Sequence, residues 1–220
     1  ISLQDNGKII IGGRFTLYNN VSRNGIARLN TDGTLDSTFN PGSGAIYYFD
    51  GVVDVGEVFS TTIQPDGKII IGGAFTKYND TTANRIIRLN TDGTIDPNFN
   101  VGTGANGIIT CTSIQTDGKI IIGGNFDMYN GISINRIARL NTDGSLDTTF
   151  NTGSGANGVV SEILIQNDSK IIIGGGFTMY NNIIANRIVR ININGTLDTS
   201  FYSGTGFNNF SVASINQQPD

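Results

Sequence analysis

The sequence predicts an all-β protein, a β-propeller built of four-stranded antiparallel blades. Three observations support this prediction. One segment recurs four times along the chain, each copy divides into short strands separated by turn residues, and the second strand of each copy is apolar on both faces. A strand that is apolar on both faces must be covered on both sides, so we expect the copies to stack against one another.

The repeat is defined by the segment Gly-Lys-Ile-Ile-Ile-Gly-Gly, which in the fourth copy begins with Ser instead of Gly. Its lysines, Lys8, Lys68, Lys119 and Lys170, are spaced by 60, 51 and 51 residues. A fixed period of this length is typical of repeat architectures. We predict one propeller domain over 1–220, with blade-like repeats at about 1–44, 58–104, 109–155 and 159–206 and the start of a fifth at 210–220.

The two ends of the chain match the same strand of the repeat. Residues 1–4 and 211–218 both resemble the innermost strand, and Gln4 and Gln218 are equivalent. A ring of four blades has room for only four such strands. We therefore expect the four visible repeats to be part of a larger propeller.

Turn residues divide the third copy into strands at 109–115, 119–126, 136–141 and 145–151. Thr-Asp-Gly joins the first two and Asn-Thr-Asp-Gly joins the last two. In such hairpin loops Asp or Asn favours the turn and Gly takes the conformation with positive φ. The two glycines that end the second strand predict a close backbone approach or a bulge. A solenoid of parallel coils is the alternative, but it does not need two hairpin turns per repeat.

Composition excludes several classes of function. The chain has no histidine, which removes the commonest general base and the commonest metal ligand. Its net charge is −4 without a basic cluster, so we expect no nucleic-acid partner. No apolar stretch reaches the ~18–20 residues of a membrane span. The single cysteine, Cys111, lies in an apolar run and is predicted to be a buried, inert thiol. We predict no enzyme activity, no cofactor and no metal.

A family resemblance follows from the motifs. Asp-Gly-Lys-Ile-Ile-Ile-Gly-Gly-x-Phe, then Asn-Arg-Ile-x-Arg-Leu-Asn-Thr-Asp-Gly-Thr-Leu-Asp-x-x-Phe-Asn, then Gly-x-Gly resembles the delta-sixty repeat of bacterial β-propeller proteins. The layout is also similar to that of NHL-type blades, and the resemblance covers essentially the whole chain. The sequence departs from the repeat pattern at Asn24-Gly25, where later copies have Asn-Arg, and at Asn194, which replaces Asp. The resemblance implies a propeller that is extracellular or borne on a surface, and it implies no activity.

Repeated charges predict structural ion pairs. If the Asn-x-Asp-Gly loop closes a hairpin with Asn30 opposite Thr34, then Arg28 lies opposite Asp36. The same offset of eight residues occurs in every copy. Opposite charges across a sheet stabilise it, so we assign these residues to blade structure. The pairs are Arg28 with Asp36, Arg88 with Asp96, Arg139 with Asp147 and Arg190 with Asp198.

Two sets of aromatic residues are candidates for binding. Tyr18, Tyr78, Tyr129 and Tyr180 recur after the second strand, where they either stack on sugar rings or fill gaps between blades. The segment 45–58 breaks the repeat and contains Tyr47, Tyr48, Phe49 and Asp50. Repeat-breaking loops commonly carry binding, so we predict a contact surface there. The alternative is that residues 52–55 lengthen a blade strand and the aromatics fold back onto the blade edge.

Two further motifs have a possible chemical role. Asn90, Asp92 and Asp96 space oxygen atoms around a turn glycine, as calcium loops do, but the distal glutamate of such loops is missing. We therefore prefer a hairpin turn to a calcium site. Glu57 and Glu162 are the only glutamates, and both precede or begin an innermost strand. A glycosidase needs two carboxylates ~5–9.5 Å apart, which makes them the pair to compare.

Together these observations predict a non-catalytic scaffold or binding module that contacts other protein chains or surface glycans, besides the remainder of its parent propeller. We expect it outside the cell, at the cell surface or on a virion. The alternative is a glycan-binding or glycan-cleaving propeller with acidic residues at the axial mouth.

Overall fold

The computed structural model describes residues 1–218, which form antiparallel β-sheets without a helix. No helix that is long and apolar enough to cross a membrane occurs among these described residues. The chain divides into two compact units, Ile1–Ile109 and Thr110–Asp220. The first unit holds the first two repeats and the second unit holds the other two. That the units form one propeller domain over 1–220 stays a prediction.

The described residues contain twenty-two short strands. The first repeat contains β1 (Ser2–Leu3), β2 (Ile9–Gly12), β3 (Leu17–Tyr18), β4 (Val21–Ser22) and β5 (Ile26–Leu29), followed by β6 (Ala45–Phe49) and β7 (Val52–Val55). The second contains β8 (Val58–Ile63), β9 (Ile69–Gly73), β10 (Lys77–Tyr78), β11 (Thr81–Thr82) and β12 (Ile86–Leu89). The third contains β13 (Ile108–Ile114), β14 (Ile120–Asn125), β15 (Met128–Tyr129), β16 (Ile132–Ser133) and β17 (Ile137–Leu140). The fourth contains β18 (Val160–Ile165), β19 (Ile171–Gly175), β20 (Met179–Tyr180), β21 (Ile183–Ile184) and β22 (Ile188–Ile191).

Each repeat forms a three-stranded antiparallel sheet with its second predicted strand in the middle. The orders are β1-β2-β5, β8-β9-β12, β13-β14-β17 and β18-β19-β22. In the second repeat Ile69, Ile70 and Ile71 are all fully buried, although neighbouring side chains point to opposite faces. The prediction that this strand is covered on both sides is confirmed for the second and third repeats, whereas Ile9 and Ile11 of the first repeat are only half-buried.

The fourth strand of each blade is reduced to a single bridging residue. In the third repeat Leu146 bridges Leu140, so the strand predicted over 145–151 is too long. Asp147 explains the difference. Its Oδ1 accepts the N–H of Thr149 at 3.0 Å, and its carbonyl oxygen accepts the N–H of Phe150 at 3.3 Å. Both bonds turn the chain where a strand would extend it.

The glycines at the end of the second strand allow both a close backbone approach and a bulge. A Cβ atom on Gly73 would lie 2.1 Å from the carbonyl oxygen of Glu57. The register of β8 against β9 also shifts between Val58 and Ser60. The neighbouring strand therefore fits only because this position has no side chain.

Hydrogen bonds tie each repeat to the next one within its unit. In the first unit the N–H of Asn40 donates to the carbonyl oxygen of Asp92 at 2.7 Å. In the second unit the N–H of Asn151 donates to the carbonyl oxygen of Asn194, also at 2.7 Å. In both cases the end of one repeat holds the last hairpin turn of the following repeat.

The two ends of the chain differ in structure. Strand β1 pairs with β2 and completes the sheet of the first repeat. Residues 211–218 form no strand, so the innermost strand that we expected there does not form the ladder of hydrogen bonds of a sheet. The N–H of Val212 nevertheless donates to the carbonyl oxygen of Gly175 at 3.2 Å, as Val58 does to Gly13 at 3.2 Å. This segment thus contacts the fourth repeat as an innermost strand would, and the larger propeller stays a prediction.

Candidate functional site

A β-hairpin between the first two repeats is the main departure from the repeat pattern. Strands β6 and β7 pair with Ile46 opposite Val55 and Phe49 opposite Val52. Asp50 and Gly51 form the two-residue turn with φ of 46° and 81°, which suits the right-handed twist of a hairpin. Since β7 pairs with β6, it does not lengthen a strand of a blade sheet, and that half of the alternative is wrong. Strand β6 pairs with β10 of the second repeat, so the start of the aromatic segment does fold back onto that repeat, as the other half expected.

The tip of this hairpin exposes four large apolar side chains. Tyr48 is 43% exposed, Phe49 67%, Val52 63% and Val53 68%. Successive residues of a strand point to opposite faces, so apolar groups lie on both faces of the tip. We call these four residues the hairpin tip. Of the predicted binding residues in this segment, Tyr48, Phe49 and the turn residue Asp50 are exposed, whereas Tyr47 is half-buried.

Charged side chains anchor the base of the hairpin. The Lys77 ammonium lies 4.7 Å from the centre of the Tyr48 ring, and the Arg85 guanidinium lies 5.4 Å from that of Tyr47. Cations over aromatic faces attract the ring electrons and fix the ring orientation. Strand β6 also pairs with β10 of the second repeat. Tyr48, at the lower edge of the hairpin tip, is therefore held by Lys77, whereas Phe49, Val52 and Val53 lie beyond the residues that pair with β10.

The four repeated tyrosines serve the blades. Tyr78, Tyr129 and Tyr180 are fully buried, so the prediction that they stack on sugar rings is wrong. Each hydroxyl donates to the carbonyl oxygen of a turn glycine of its own repeat, at 3.1 Å for Tyr78, 2.9 Å for Tyr129 and 2.8 Å for Tyr180. Tyr18 makes the same bond at 2.7 Å but is half-buried. The hydroxyls thus bond to nearby backbone, as the structural alternative expected, but each bond lies within one repeat and does not cross the gap between two blades.

The four arginine–aspartate pairs are present as salt bridges. In each repeat the arginine Nε donates to the aspartate Oδ2 at 2.6–2.7 Å. The Cζ atom of the same arginine lies 4.8–5.0 Å from the centre of a phenylalanine ring. The expected hairpin register is also observed, since the N–H of Asn30 donates to the Thr34 carbonyl and that of Asp36 to the Arg28 carbonyl.

A lysine joins each pair, and sequence reasoning missed it. The lysine of the Gly-Lys motif donates to the same Oδ2 atom at 2.6–2.9 Å. Burial raises the pKa of the Asp96 carboxyl, but hydrogen bonds from Lys68, the Asn98 amide and Arg88 outweigh this effect and lower the pKa to about 2. Two cations thus neutralise one buried anion in every repeat.

In the loop that resembles a calcium site, the polar side chains form hydrogen bonds with one another and with the backbone. Asp92 Oδ1 accepts the N–H of Thr94 at 3.0 Å and its hydroxyl at 2.6 Å. Asn90 donates through Nδ2 to the Thr94 hydroxyl at 3.0 Å. Asp96 faces Lys68 and Arg88, which would repel a metal ion. Among the residues that the structure describes, no group of three potential ligands fits a metal.

The remaining reactive side chains are isolated. Glu57 belongs to the first unit and Glu162 to the second, so each is the sole glutamate of its unit. Partial burial raises the pKa of the Glu162 carboxyl. Cys111 is buried, and desolvation raises the pKa of its thiol to about 12, which keeps it protonated and unreactive.

Cavities occur in the second unit. One of about 610 Å³ lies beside residues 132–135 and 146–153, but its carboxylate, Asp147, is already paired with Arg139 and Lys119. Another of about 410 Å³ is lined by residues 113–116 and 163–167 together with Ser169 and Ile193. Among residues 1–218, no charged side chain lines the cavity of about 410 Å³.

The antiparallel sheets and their fourfold repetition define a tandem-repeat β-propeller protein. Its repeats match the family model described as "Domain of unknown function (DUF5122) beta-propeller" over residues 4–39, 64–99, 115–150 and 166–201. These segments cover more than half of the chain. The chain therefore belongs to this β-propeller family.

Comparison with individual proteins adds no function. No curated protein matches the chain. Among solved structures, the chain is similar to a protein of unknown function from Bacteroides caccae, with 13% identity, 86% of this chain and 91% of that chain covered, and a TM-score of 0.28.

Proposed function

We propose that this chain is a non-catalytic β-propeller binding module that contacts another protein through the hairpin tip. The observation that carries the proposal is the exposure of Tyr48, Phe49, Val52 and Val53 on one hairpin. Fully burying a side chain of this kind contributes roughly 1.5–3 kcal/mol, so leaving four of them in water is costly unless a partner covers them.

The chemistry of the tip favours a protein partner over a glycan. Stacking on a sugar needs an accessible aromatic face, and Lys77 covers one face of the Tyr48 ring and Arg85 one face of the Tyr47 ring, which leaves Phe49 as the most exposed aromatic of the tip. Val52 and Val53 add aliphatic surface, which fits an apolar groove between side chains. An apolar centre with a charged rim is the usual anatomy of a protein interface. The exposed pair of Arg14 and Asp54, 2.8 Å apart, supplies such a rim.

A non-catalytic role is supported by the composition and by the ion pairs of the repeated aspartates. The chain lacks histidine and contains two glutamates. A glycosidase places two carboxylates on either side of the scissile bond. The runner-up, a glycan-cleaving propeller, would have to recruit aspartates, and the repeated aspartates of the blades already face two cations each.

We also propose that the repeat is of the delta-sixty type and that the module is displayed outside the cell or on a virion. The motif resemblance and the charged fraction of only 15% support this setting. Fractionation of the source organism with an antibody against the chain tests it: recovery only from the soluble intracellular fraction contradicts it.

The hairpin proposal is tested with a matched pair of double variants. Phe49→Ser with Val52→Ser removes apolar groups from the tip. Leu17→Ser with Val21→Ser removes exposed apolar groups from the β3–β4 hairpin, which recurs in every repeat and serves as the control. A photo-crosslinking residue at position 49 of the wild type, used in the surface fraction of the source organism, identifies the partner for titration as a purified protein.

We expect the tip variant to lose binding to that partner, with a melting temperature within a few degrees of the wild type, and the control to bind as the wild type does. Equal binding by the tip variant contradicts the proposal. A glycan array probed with the same three proteins separates the alternative, because glycan binding that survives the tip substitutions places recognition elsewhere.

A further inference from the structure

Strand β7 is the outermost strand of the sheet to which the inserted hairpin belongs. The order of this sheet is β11-β10-β6-β7, so among residues 1–218 no strand pairs with the far side of β7. Between the third and fourth repeats, the pairing that corresponds to Ala45 with Tyr78 is a single bridge from Ala156 to Tyr180. The insertion therefore extends one bridge into a sheet with an open edge.

The backbone of Val53 points away from β6. Phe49 and Val52 close a two-residue turn, so their N–H and C=O groups bond to each other. The next pair, Tyr48 with Val53, therefore belongs to the alternate type that is not hydrogen-bonded. In agreement, the N–H of Tyr48 donates to the Thr76 hydroxyl at 2.7 Å, and its C=O accepts that hydroxyl at 3.1 Å. The N–H and C=O of Val53 therefore face the open edge of the sheet.

The residues of β7 do little to protect this edge. Sheet edges are normally protected by proline, lysine and other charged residues, or by a bulge. Strand β7 reads Val-Val-Asp-Val and pairs with β6 without a bulge. Its one charged residue, Asp54, is neutralised by Arg14 at 2.8 Å. An exposed apolar edge with unpaired backbone groups is a template for one further strand.

We propose that β7 pairs antiparallel with β7 of a second copy of this chain, around a twofold axis at Val53. The inference rests on the proposed role of the hairpin tip as a contact surface and names its partner. In this register the N–H of each Val53 donates to the C=O of the other, so one residue supplies both halves of the pairing. Strand β7 is thus complementary to itself, and the pairing continues the sheet from one copy into the next.

The side chains of β7 select this register over its neighbours. A pairing of Val53 with Val55 would place Asp54 directly opposite Asp54 of the second copy, where like charges repel. A pairing of Val55 with Val55 would compete with the bond of the Val55 N–H to Asp54 Oδ1, which is 2.7 Å long. With Val53 opposite Val53, Asp54 lies opposite Val52 of the second copy and keeps its bond to Arg14.

Sedimentation velocity of the 220-residue chain at micromolar to millimolar concentration tests the pairing. Two four-residue strands bury less than the ~1,200 Å² of a stable interface, so we expect monomers that form dimers only as the concentration rises. Val53→Pro removes the N–H that donates across the axis and should raise the dissociation constant about tenfold or more. An outward N–H at a sheet edge is a position where proline is accepted, so the melting temperature should stay the same.

Val53→Thr is the matched control. It keeps the shape and the N–H of valine, so it should raise the dissociation constant much less than Val53→Pro does. Equal effects of the two substitutions would indicate apolar contact without strand pairing and would overturn the inference. A wild type that stays monomeric at millimolar concentration would overturn it as well.

A cysteine on the axis tests the register. In a hydrogen-bonded antiparallel pair the two Cα atoms lie ~5.5 Å apart, a distance that a disulfide spans. Val53→Cys in a glutathione redox buffer should therefore form a disulfide-linked dimer, and Cys111 does not compete because it is buried. Val21→Cys, on the exposed β3–β4 hairpin, is the control and should not form this dimer. Equal yields of dimer from the two variants would overturn the register at Val53.

Photo-crosslinking at Phe49 separates this inference from the proposed function. Crosslinks between copies of the chain support both. A chain that stays monomeric but is crosslinked to a different protein keeps the hairpin tip as a contact surface and overturns only the self-pairing. A monomeric chain that forms no crosslink to any protein overturns both.

Discussion

The ammonium group of Lys68 lies 2.9 Å from the carboxylate of Asp96, although 28 positions separate these residues in the chain. The guanidinium of Arg88 reaches the same oxygen atom at 2.7 Å. Asp96 is buried, so its charge depends on these two cations. The same three-residue cluster recurs in every repeat, which makes it the main electrostatic feature of the blades.

Asp96→Asn should lower the free energy of unfolding by about 3 kcal/mol, because it leaves Arg88 buried without its counter-charge. Urea denaturation measures the change. Asp80→Asn is the matched control. It removes the same charge from an exposed turn of the same unit, where the first and fourth repeats already carry asparagine, and should shift the free energy by less than about 0.5 kcal/mol. Equal effects of the two substitutions would contradict a role for the cluster.

Stability should fall in acid over a defined window. The pKa of Asp96 is lowered to about 2 in the folded chain, below the ~3.9 of an unfolded aspartate. Its contribution is therefore complete above pH ~4 and is lost as the pH falls toward 2. The pKa values of Asp36, Asp147 and Asp198 are also lowered, which extends the loss further into acid. Urea midpoints between pH 2 and 6 check this. The urea midpoint of Asp96→Asn should depend less steeply on pH than that of the wild type. A wild-type midpoint that rises as the pH falls would contradict this prediction.

Tyr129→Phe should destabilise the second unit by about 1 kcal/mol, because it removes a hydroxyl and leaves the carbonyl oxygen of Gly144 buried without that bond. Thermal and urea unfolding measure the difference. Tyr18→Phe removes the same bond at a half-buried position, where water replaces the hydroxyl, and should cost less. The reverse order of the two effects would show that the bond does not depend on burial.

Two adjacent glycines should respond differently to alanine. A Cβ atom on Gly175 would lie 2.0 Å from the carbonyl oxygen of Val159, whereas on Gly176 the nearest atom is 4.0 Å away. Gly175→Ala forces two backbones apart and should cost about 3 kcal/mol. Gly176→Ala should change the free energy of unfolding by less than about 1 kcal/mol, as measured by urea denaturation. Similar values for both would mean that the neighbouring strand shifts freely.

Cys111 should be unreactive in the native protein. It is buried, and its pKa of about 12 leaves almost no thiolate at neutral pH. Native protein mixed with a thiol-reactive chromogenic disulfide should react only as fast as the second unit opens, and protein in 6 M guanidinium should react at once. Rapid reaction of the native chain would show that the apolar run around Cys111 is accessible.

Local sequence signals predicted most of the fold. The turn residues and the register of Arg28 against Asp36 depend on neighbours a few positions apart, so they follow from turn chemistry. The fourth strand was predicted too long because Asp147 was assigned to a strand, although an aspartate that bonds the amide two residues later is a turn former.

The candidate site was predicted less completely, because its parts meet only through the fold. Lys68 reaches Asp96 across two strands, and no short-range pattern encodes that contact. The burial of Tyr180 likewise depends on packing from several strands. The β6–β7 hairpin carried a usable signal, since Asp50-Gly51 between apolar residues is a strong hairpin motif.

The bonds from Asn40 to Asp92 and from Asn151 to Asn194 bear on how such a chain can evolve. Both units carry the same joint, in which an amide of the leading repeat reaches forward and a turn carbonyl of the following repeat receives it. A gene segment that encodes such a pair of repeats can therefore be duplicated or lost with its joint intact. Repeat number then changes without any new interface having to arise within a pair.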